Sequence, residues 1–453
     1  MKNRIYKILL LVLFLGSATS CDKYLDIIPV GEVIPTKSEE YNALLNSAYS
    51  IFPRHKELLT MRGVQVDPII DPWGLSSFPM YKNIYTWTDT SDADDRTEEY
   101  PYISFYQTIF YVNDIIAEAP NAEESNGYPL PQIIAESYLL RAYAYFELAN
   151  MYGPKYAENQ RDTKVVPIIL IVDTEQVLPR NTLGEIYDQI ESDLAKAEEM
   201  MTVTTWEKSE DKYKGSKEAL YGLASRIYLY KGDWNKSLEY AKKALAISEF
   251  LEDFNDSEAL MPTHYSSAEN VWALEEVVGL NIREFASIQP TFLDTFAEGD
   301  LRKSKFFEEN MDWMTGEFFT VSVKLTSRDT RSTVRRAEVF LNAAEAAARL
   351  GQDQQAKSYM SSLLAKRYTP EHFAAAESQW QALSGQALVE WILQERLKEL
   401  AVEGHEWYDY KRTSQPALTK TVEGEVYNLK ENDPRYVLQI PKSARDANPK
   451  LME

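Results

Sequence analysis

Two stretches of the chain repeat one spacing of bulky and small residues, and this repetition constrains the fold more than any other feature. At the offsets of a tetratricopeptide unit, residues 221–247 contain Tyr221, Ala224, Ser225, Tyr228, Gly232, Ser237, Ala241 and Ala244. At five of the same offsets, residues 340–363 contain Phe340, Ala343, Ala344, Gly351 and Ala356. Small residues let two helices approach closely and the glycine permits a tight turn, so each stretch predicts a pair of helices. The two copies do not follow each other at the usual period of ~34 residues, so a long insertion separates them. Generic alanine-rich helical pairing is the alternative.

A third stretch, residues 134–152, is apolar on nearly every face. A helix of this kind is buried among other helices. The Gly-Pro pair at 153–154 is a strong signal for its end. We therefore predict an all-α fold of tetratricopeptide-like helical pairs, with helices at 134–152, 217–248 and 335–364, followed by a C-terminal helix and tail at 386–453.

Two long segments, 53–105 and 250–325, lack helical periodicity. Both are rich in aromatic residues, and the first also contains five prolines. Irregular segments of this length in a compact protein tend to carry function. We therefore predict that they form a loop-rich lobe on the helical body and that this lobe is functional.

Aromatic side chains in these segments are the candidates for ligand binding. A sugar ring has a face of C–H groups that stacks on the flat ring of Trp or Tyr, while nearby Asp and Asn side chains read its hydroxyls. The candidate glycan-binding residues are Trp73, Tyr81, Asn83, Tyr85, Trp87, Asp89, Phe285 and Trp313. The alternative for each ring is packing against the helices beneath it, since aromatic residues serve cores more often than ligands.

The first 20 residues have the order of a secretory signal peptide. A basic start is followed by an unbroken apolar run at 8–15, and small residues precede Cys21. Cys21 is the only cysteine of the chain, so it has no partner for an internal disulfide. Cleavage in front of it would place it at the new N-terminus, where bacterial lipoproteins carry their lipid. We expect a signal peptide at 1–20, a lipidated Cys21 and an extended tether at 21–40. A spectator cysteine near another cleavage site is the alternative.

The chain is strongly acidic. Its formal charge of −22 becomes −25 when the three basic residues of the signal peptide, Lys2, Arg4 and Lys7, are removed. Such a chain repels phosphate backbones and anionic membrane surfaces, so we expect no nucleic-acid partner and anchoring by a lipid rather than by a basic patch. Beyond the signal peptide, no apolar run is long enough to span a membrane.

Motifs for catalysis and for metal binding are weak. The four histidines show no metal-ligand spacing, and neither a Gly-x-Ser-x-Gly elbow nor a glycine-rich phosphate loop occurs. The acidic stretch 89–99 lacks the register of a calcium loop, so we interpret it as a solvated loop, with calcium as the less favoured alternative. A glycosidase carboxylate pair needs only the right separation in space, which a sequence with 70 acidic residues leaves open. We predict no catalytic residues and no cofactor besides the N-terminal lipid.

Seven segments, in their order and spacing, resemble the SusD/RagB family of Bacteroidetes outer-membrane lipoproteins over nearly the whole mature chain. They are SCDKYLDIIP at 20–29, EEYNALLNSAY at 39–49, ESYLLRAYAYFELANMYG at 136–153, ASRIYLYKGDWNKSLEYAKKAL at 224–245, RRAEVFLNAAEA at 335–346, ILQERLKELAVEGHEWYDYKR at 392–412 and YVLQIPKSARDANPKL at 436–451. The chain departs from the family pattern at Ala18 in the lipobox and at Ala347 in the second repeat copy.

The resemblance implies one SusD-like domain at 41–453, in which tetratricopeptide-like helices carry a ligand-binding lobe of loops. It also implies a lipid-anchored protein at the outer-membrane surface. Such a protein would capture an oligosaccharide and deliver it, without catalysis, to a SusC-like TonB-dependent transporter. Some relatives are thought to serve peptide uptake, so a peptide-binding lipoprotein is one alternative, and a glycoside hydrolase is the other.

Overall fold

The computed structural model describes residues 35–69, 78–88, 100–173, 176–277, 282, 286–312, 316–324 and 329–453. The predicted signal peptide, Cys21 and most of the tether lie outside these residues. In chain order, the helices are α1 (Ser38–Ser50), α2 (Lys56–Arg62), α3 (Phe78–Tyr85), α4 (Ile103–Glu118), α5 (Leu130–Tyr152), α6 (Leu183–Met200), α7 (Lys217–Lys231), α8 (Trp234–Ile247), α9 (Pro290–Leu293), α10 (Arg302–Phe306), α11 (Arg336–Arg349), α12 (Asp353–Leu364), α13 (Pro370–Gln381), α14 (Gly385–Glu399), α15 (His405–Arg412) and α16 (Lys442–Ala447). The strands are β1 (Val66–Pro68), β2 (Asn270–Trp272), β3 (Ala286–Ile288), β4 (Phe307–Met311), β5 (Phe318–Ser322), β6 (Val334–Arg335), β7 (Leu418–Val422) and β8 (Glu425–Leu429).

Helical pairs form the body of the protein, which confirms the predicted all-α fold. Helix α7 packs on α8, and α11 packs on α12. Gly232 and Gly351 lie in the turns of these pairs with φ angles of 81° and 72°, in the left-handed region that glycine adopts most easily. The buried Ser225 joins the two pairs. Its carbonyl accepts a hydrogen bond from the Ser237 hydroxyl, and its hydroxyl accepts one from the Asn342 amide, both at 2.9 Å.

Helix α5 lies at the centre of the body, packed against α4 and α6. Its charged residues are buried and have polar partners. Glu136 accepts a hydrogen bond from the Tyr49 hydroxyl at 2.6 Å, and Arg141 forms an ion pair with Asp193 of α6 at 2.7 Å. Since a buried charge is costly unless it is paired, these contacts explain how an apolar central helix tolerates charges.

A buried network of arginines and glutamates ties the long segment 250–325 to the helical body. The guanidinium of Arg367 lies 2.9 Å from Glu269 of that segment and 3.0 Å from Glu399 of α14. Arg335 also bonds to Glu399, at 2.7 Å. Burial alone would raise the pKa of Glu399, but the two arginines hold it well below its ordinary value. The network therefore stays charged and fixes the base of the segment.

The strands form four small two-stranded antiparallel sheets, whose pairs are β1–β3, β2–β6, β4–β5 and β7–β8. The prediction that 53–105 and 250–325 are irregular throughout is therefore corrected, because the first contains α2 and α3 and the second contains the β4–β5 hairpin. Helix α1 begins at Ser38, within the last residues of the predicted tether. The Glu40 side chain caps this start by accepting hydrogen bonds from the backbone N–H groups of Thr36 and Lys37 at 2.7 Å and 3.0 Å.

Among the residues that the structure describes, no helix combines the length and the apolar character needed to cross a membrane.

Candidate functional site

The base of the predicted lobe is the link between α2 and β1, and it rests on the C-terminal helix α15. The carboxylate of Glu406 in α15 accepts hydrogen bonds from the backbone N–H groups of Val64 and Gln65 at 2.9 Å and 3.3 Å. Burial raises the pKa of Glu406 to about 7. The side chain of Gln65 donates to the carbonyl of Leu397 and accepts from the N–H of Val402. These bonds hold the start of the lobe rigidly on the body.

Pairing of β1 with β3 brings the two predicted lobe segments to one place. The register sets Val66 opposite Ile288 and Pro68 opposite Ala286. Because the strands are antiparallel, the chain leaves β1 at the same end of the sheet at which it enters β3. The candidate Trp73 follows β1 in the sequence, and the candidate Phe285 immediately precedes β3. Both residues lie outside the described residues.

Helix α3 carries the candidates Tyr81, Asn83 and Tyr85 and is held by the β7–β8 hairpin. The Tyr85 hydroxyl donates to Asp67 of β1 at 2.6 Å. The ammonium of Lys420, in β7, donates to the backbone carbonyl of Tyr85 at 2.9 Å and lies 3.8 Å from the centre of its ring. Burial lowers the pKa of Lys420 well below its ordinary value.

Trp87, immediately after α3, packs into the main hydrophobic core. Its indole N–H donates to the carbonyl of Arg62 at 2.9 Å, and the Lys420 ammonium lies 4.6 Å from its ring. Its φ angle of 55° is in the left-handed region, which a tryptophan adopts only when its surroundings enforce it. The ring is therefore a structural anchor.

The expectation that Tyr85 and Trp87 stand on an open aromatic platform is corrected by this placement. Each side chain is only 1% exposed, and each polar group has an internal partner. The other two described candidates, Tyr81 and Asn83, are half-buried. The remaining candidates, Trp73, Asp89, Phe285 and Trp313, lie outside the described residues, as does the acidic stretch 89–99, and their roles stay predictions.

The tip of the β4–β5 hairpin exposes an apolar pair that the search for candidates missed. Met311 and Phe318 are directly opposite each other, with exposures of 50% and 66%. Opposite residues of an antiparallel pair share one face of the sheet. The candidate Trp313 falls between them in the sequence, and β5 contacts β3, so this tip belongs to the same lobe. In the sequence, the feature that could have indicated this exposed apolar pair is the Phe318-Phe319 dipeptide shortly after Gly316.

The lobe thus combines exposed apolar side chains with a rigid base, an arrangement suited to binding rather than to proton transfer. In the ranges that the structure describes, no three or more His, Cys, Asp and Glu side chains are grouped so that they could hold a metal ion.

Comparison with known proteins gives two family models and many similar structures. A family described as "Starch-binding associating with outer membrane" matches residues 65–229, and the SusD family matches residues 294–453. A SusD-like protein of Formosa agariphila is 21% identical, over 89% of this chain and 90% of its own. A SusD superfamily protein of Bacteroides thetaiotaomicron has a TM-score of 0.76 at 20% identity, over 92% of this chain and 99% of its own.

Two further solved structures share the fold. A SusD-like carbohydrate binding protein from Bacteroides vulgatus has a TM-score of 0.72 at 21% identity and covers 92% of this chain and 97% of its own. A laminarin binding SusD-like protein has a TM-score of 0.65 at 17% identity and covers 90% of this chain and 97% of its own. The two family models together span more than half of the residues, so the chain belongs to the SusD/RagB family.

Proposed function

We propose that this protein is a cell-surface lipoprotein that binds an oligosaccharide and delivers it, without cleaving it, to a TonB-dependent transporter. The observation that carries the proposal is the β1–β3 pairing, which joins the two aromatic-rich segments at one end of a rigidly held sheet. Members of the family are binding proteins associated with the outer membrane, and one structural neighbour is named for binding laminarin.

The surroundings of the buried carboxylates support binding without catalysis. Asp300 and Glu395 are both held by Arg302, at 2.6 Å each, and all three side chains are at most 3% exposed. Glu338 is bonded by Arg226 at 2.6 Å in the same way. A glycosidase needs two carboxyl groups on either side of a substrate bond. Carboxylates that are paired in the interior do not have that access.

Affinity gel electrophoresis of the protein beginning at Cys21 against a panel that includes starch and laminarin tests the glycan claim. We expect slower migration in at least one polysaccharide, without release of reducing sugar. Phe318→Ala should weaken that retention about fivefold or more, since it removes an exposed ring. Phe110→Ala removes an exposed ring of α4, outside both lobe segments, and is the control, for which we expect unchanged retention.

Three results would contradict the proposal. One is migration unchanged by every polysaccharide, and another is preferential binding of peptides in a calorimetric panel. The third is release of reducing sugar that a single carboxylate substitution abolishes, which would establish a glycoside hydrolase.

The lipid anchor and the transporter are tested separately in cells. We expect Cys21 to incorporate an alkyne-labelled fatty acid, and Cys21→Ala to lose both the label and the association with the outer-membrane fraction. We also expect a β-barrel transporter to copurify with the intact protein from detergent-solubilised outer membranes. Label retained by Cys21→Ala, or purification without such a transporter, would contradict the corresponding part.

A further inference from the structure

A cleft of about 540 Å³ opens in the helical body. Its walls come from the turn between α7 and α8, from α14, from the end of α15 and from the loop after α5. Pockets for small ligands fall in this range of volume. Neither the family models nor the similar structures assign a role to this cleft.

Aromatic rings line much of the cleft. Tyr156, Tyr230, Trp234 and Tyr410 contribute side chains. The guanidinium of Arg349 lies 4.7 Å from the centre of the Trp234 ring, which holds this half-buried indole in place. Flat rings of this kind suit the C–H face of a sugar.

Two tyrosine hydroxyls in the cleft lack a hydrogen-bond partner among the described residues. They belong to Tyr156 and to Tyr230, and both oxygen atoms are buried. Tyr230 as a whole is only 5% exposed. Leaving a buried polar group unpaired costs about 1–3 kcal/mol, so each hydroxyl favours a partner supplied from outside the protein.

The positive charges along the cleft already have partners within the protein. Arg412 bonds to Asp409 at 2.7 Å and to Glu345 at 2.6 Å. Arg349 bonds to Glu345 at 2.8 Å, and the Lys155 ammonium donates to the carbonyl of Thr413 at 3.0 Å. These groups therefore do not require an anionic ligand. The unmet hydrogen-bonding capacity is that of the neutral hydroxyls.

We propose that this cleft is a second carbohydrate site, which takes a neutral pyranose unit against its aromatic walls and hydrogen-bonds the sugar hydroxyls through Tyr156 and Tyr230. The inference rests on the proposed function only in taking the ligand to be a carbohydrate. Exposed amides on α14, from Gln386 and Gln394, lie at the rim and can bond further hydroxyls.

Fluorine NMR of the whole protein labelled with 5-fluorotryptophan tests the site. Trp234→Phe identifies the Trp234 resonance. Methyl α-D-glucopyranoside, methyl β-D-glucopyranoside, methyl α-D-mannopyranoside and methyl β-D-galactopyranoside are the probes, each added to tens of millimolar. We expect at least one of them to shift that resonance saturably.

Tyr156→Phe and Tyr230→Phe should each weaken the response about fivefold or more, which corresponds to one lost hydrogen bond. Tyr240→Phe is the matched control, because its hydroxyl donates to Glu198 outside the cleft, and the response should not change. Gln394→Ala, on the exposed rim, provides a second test that does not alter the buried aromatic wall.

The inference is overturned if none of the four pyranosides shifts the resonance. It is also overturned if both Tyr→Phe variants and Gln394→Ala respond like the parent protein, or if the dipeptide glycyl-tyrosine binds in preference to every pyranoside. Retention in a polysaccharide gel without a Trp234 shift would contradict this inference alone. A saturable shift without retention in any gel would contradict the proposed lobe site and leave the cleft supported.

Discussion

Replacement of Trp87 by alanine should destabilise the protein, because the ring is 1% exposed and belongs to the main core. Truncation of a buried tryptophan costs about 3–5 kcal/mol. The change also removes the donor to the Arg62 carbonyl and the ring beside the Lys420 ammonium, so we expect the upper part of that range. A chain of 453 residues has an unfolding entropy near 0.9 kcal/mol/K, so ~4–5 kcal/mol corresponds to a decrease in Tm of about 4–6 °C.

Differential scanning calorimetry of the protein beginning at Cys21 measures this decrease, and the polysaccharide gel assay is run on the same samples below the transition. Trp87→Phe keeps an apolar ring and loses only the N–H and part of the volume, so a smaller decrease is expected. Tyr81→Ala, at a half-buried position of α3, is the matched control and should lower Tm less than Trp87→Ala. An unchanged Tm together with lost glycan retention would show that Trp87 binds ligand and that its assignment to the core is wrong.

Five other substitutions test the helical body and its links to the predicted lobe. Arg367→Met removes one of the arginines that pair with the buried Glu269 and Glu399, while Arg335 still contacts both, so we expect a cost of about 3 kcal/mol in urea denaturation, at the lower end of the range for a broken buried ion pair. Burial raises the pKa of Glu406 from 4.5 to about 7. The stabilisation from this group is therefore full below pH 4.5 and is lost as the pH rises to about 7. In Glu406→Gln, whose side chain does not ionise, the free energy of unfolding should fall by up to ~3 kcal/mol less over this pH range. Glu345 is the opposite case, because Arg412 lowers its pKa to about 2 although burial opposes ionisation. The stabilisation from the Glu345 carboxylate is therefore lost as the pH falls from 4.5 towards 2. Glu345→Gln should reduce this loss, measured as the free energy of unfolding against pH. Gly232→Ala and Gly351→Ala force alanine into the left-handed region and should each cost about 1–2 kcal/mol by calorimetry, whereas equal stability would show that the turns relax.

The helical body could be predicted because its signals are local. Small residues at fixed offsets and a turn glycine lie within a single stretch of about 30 residues, and the structure has Ala224, Ser225, Ala241 and Ala244 buried as that pattern requires. The Gly-Pro pair after α5 marks its end for the same reason, since the break depends only on adjacent residues.

The aromatic site could not be predicted in the same way, because burial of a ring there depends on distant parts of the chain. Tyr85 and Trp87 are covered through Lys420, more than 330 residues later, and the Lys420 ammonium bonds to carbonyls of both α2 and α3. Local composition shows that the rings are present. It does not show which of them a later hairpin will cover.

The same reasoning explains why the cleft was missed. Its two unpartnered hydroxyls come from a loop after α5 and from the end of α7, 74 positions apart in the sequence, and Trp234 is the first residue of α8. Tyr230 looks like an ordinary core residue, because it lies in a helix that is buried on nearly every face and its ring packs against Tyr408. Only the packing of α14 and α15 beside it makes Tyr230 part of the wall of a cleft. The polar atom of Trp87 is bonded inside the core, whereas the hydroxyls of Tyr156 and Tyr230 have no hydrogen-bond partner among the described residues. By this criterion Tyr156 and Tyr230 are better candidates for ligand contact than Trp87, although Trp87 lies in the more conspicuous sequence pattern.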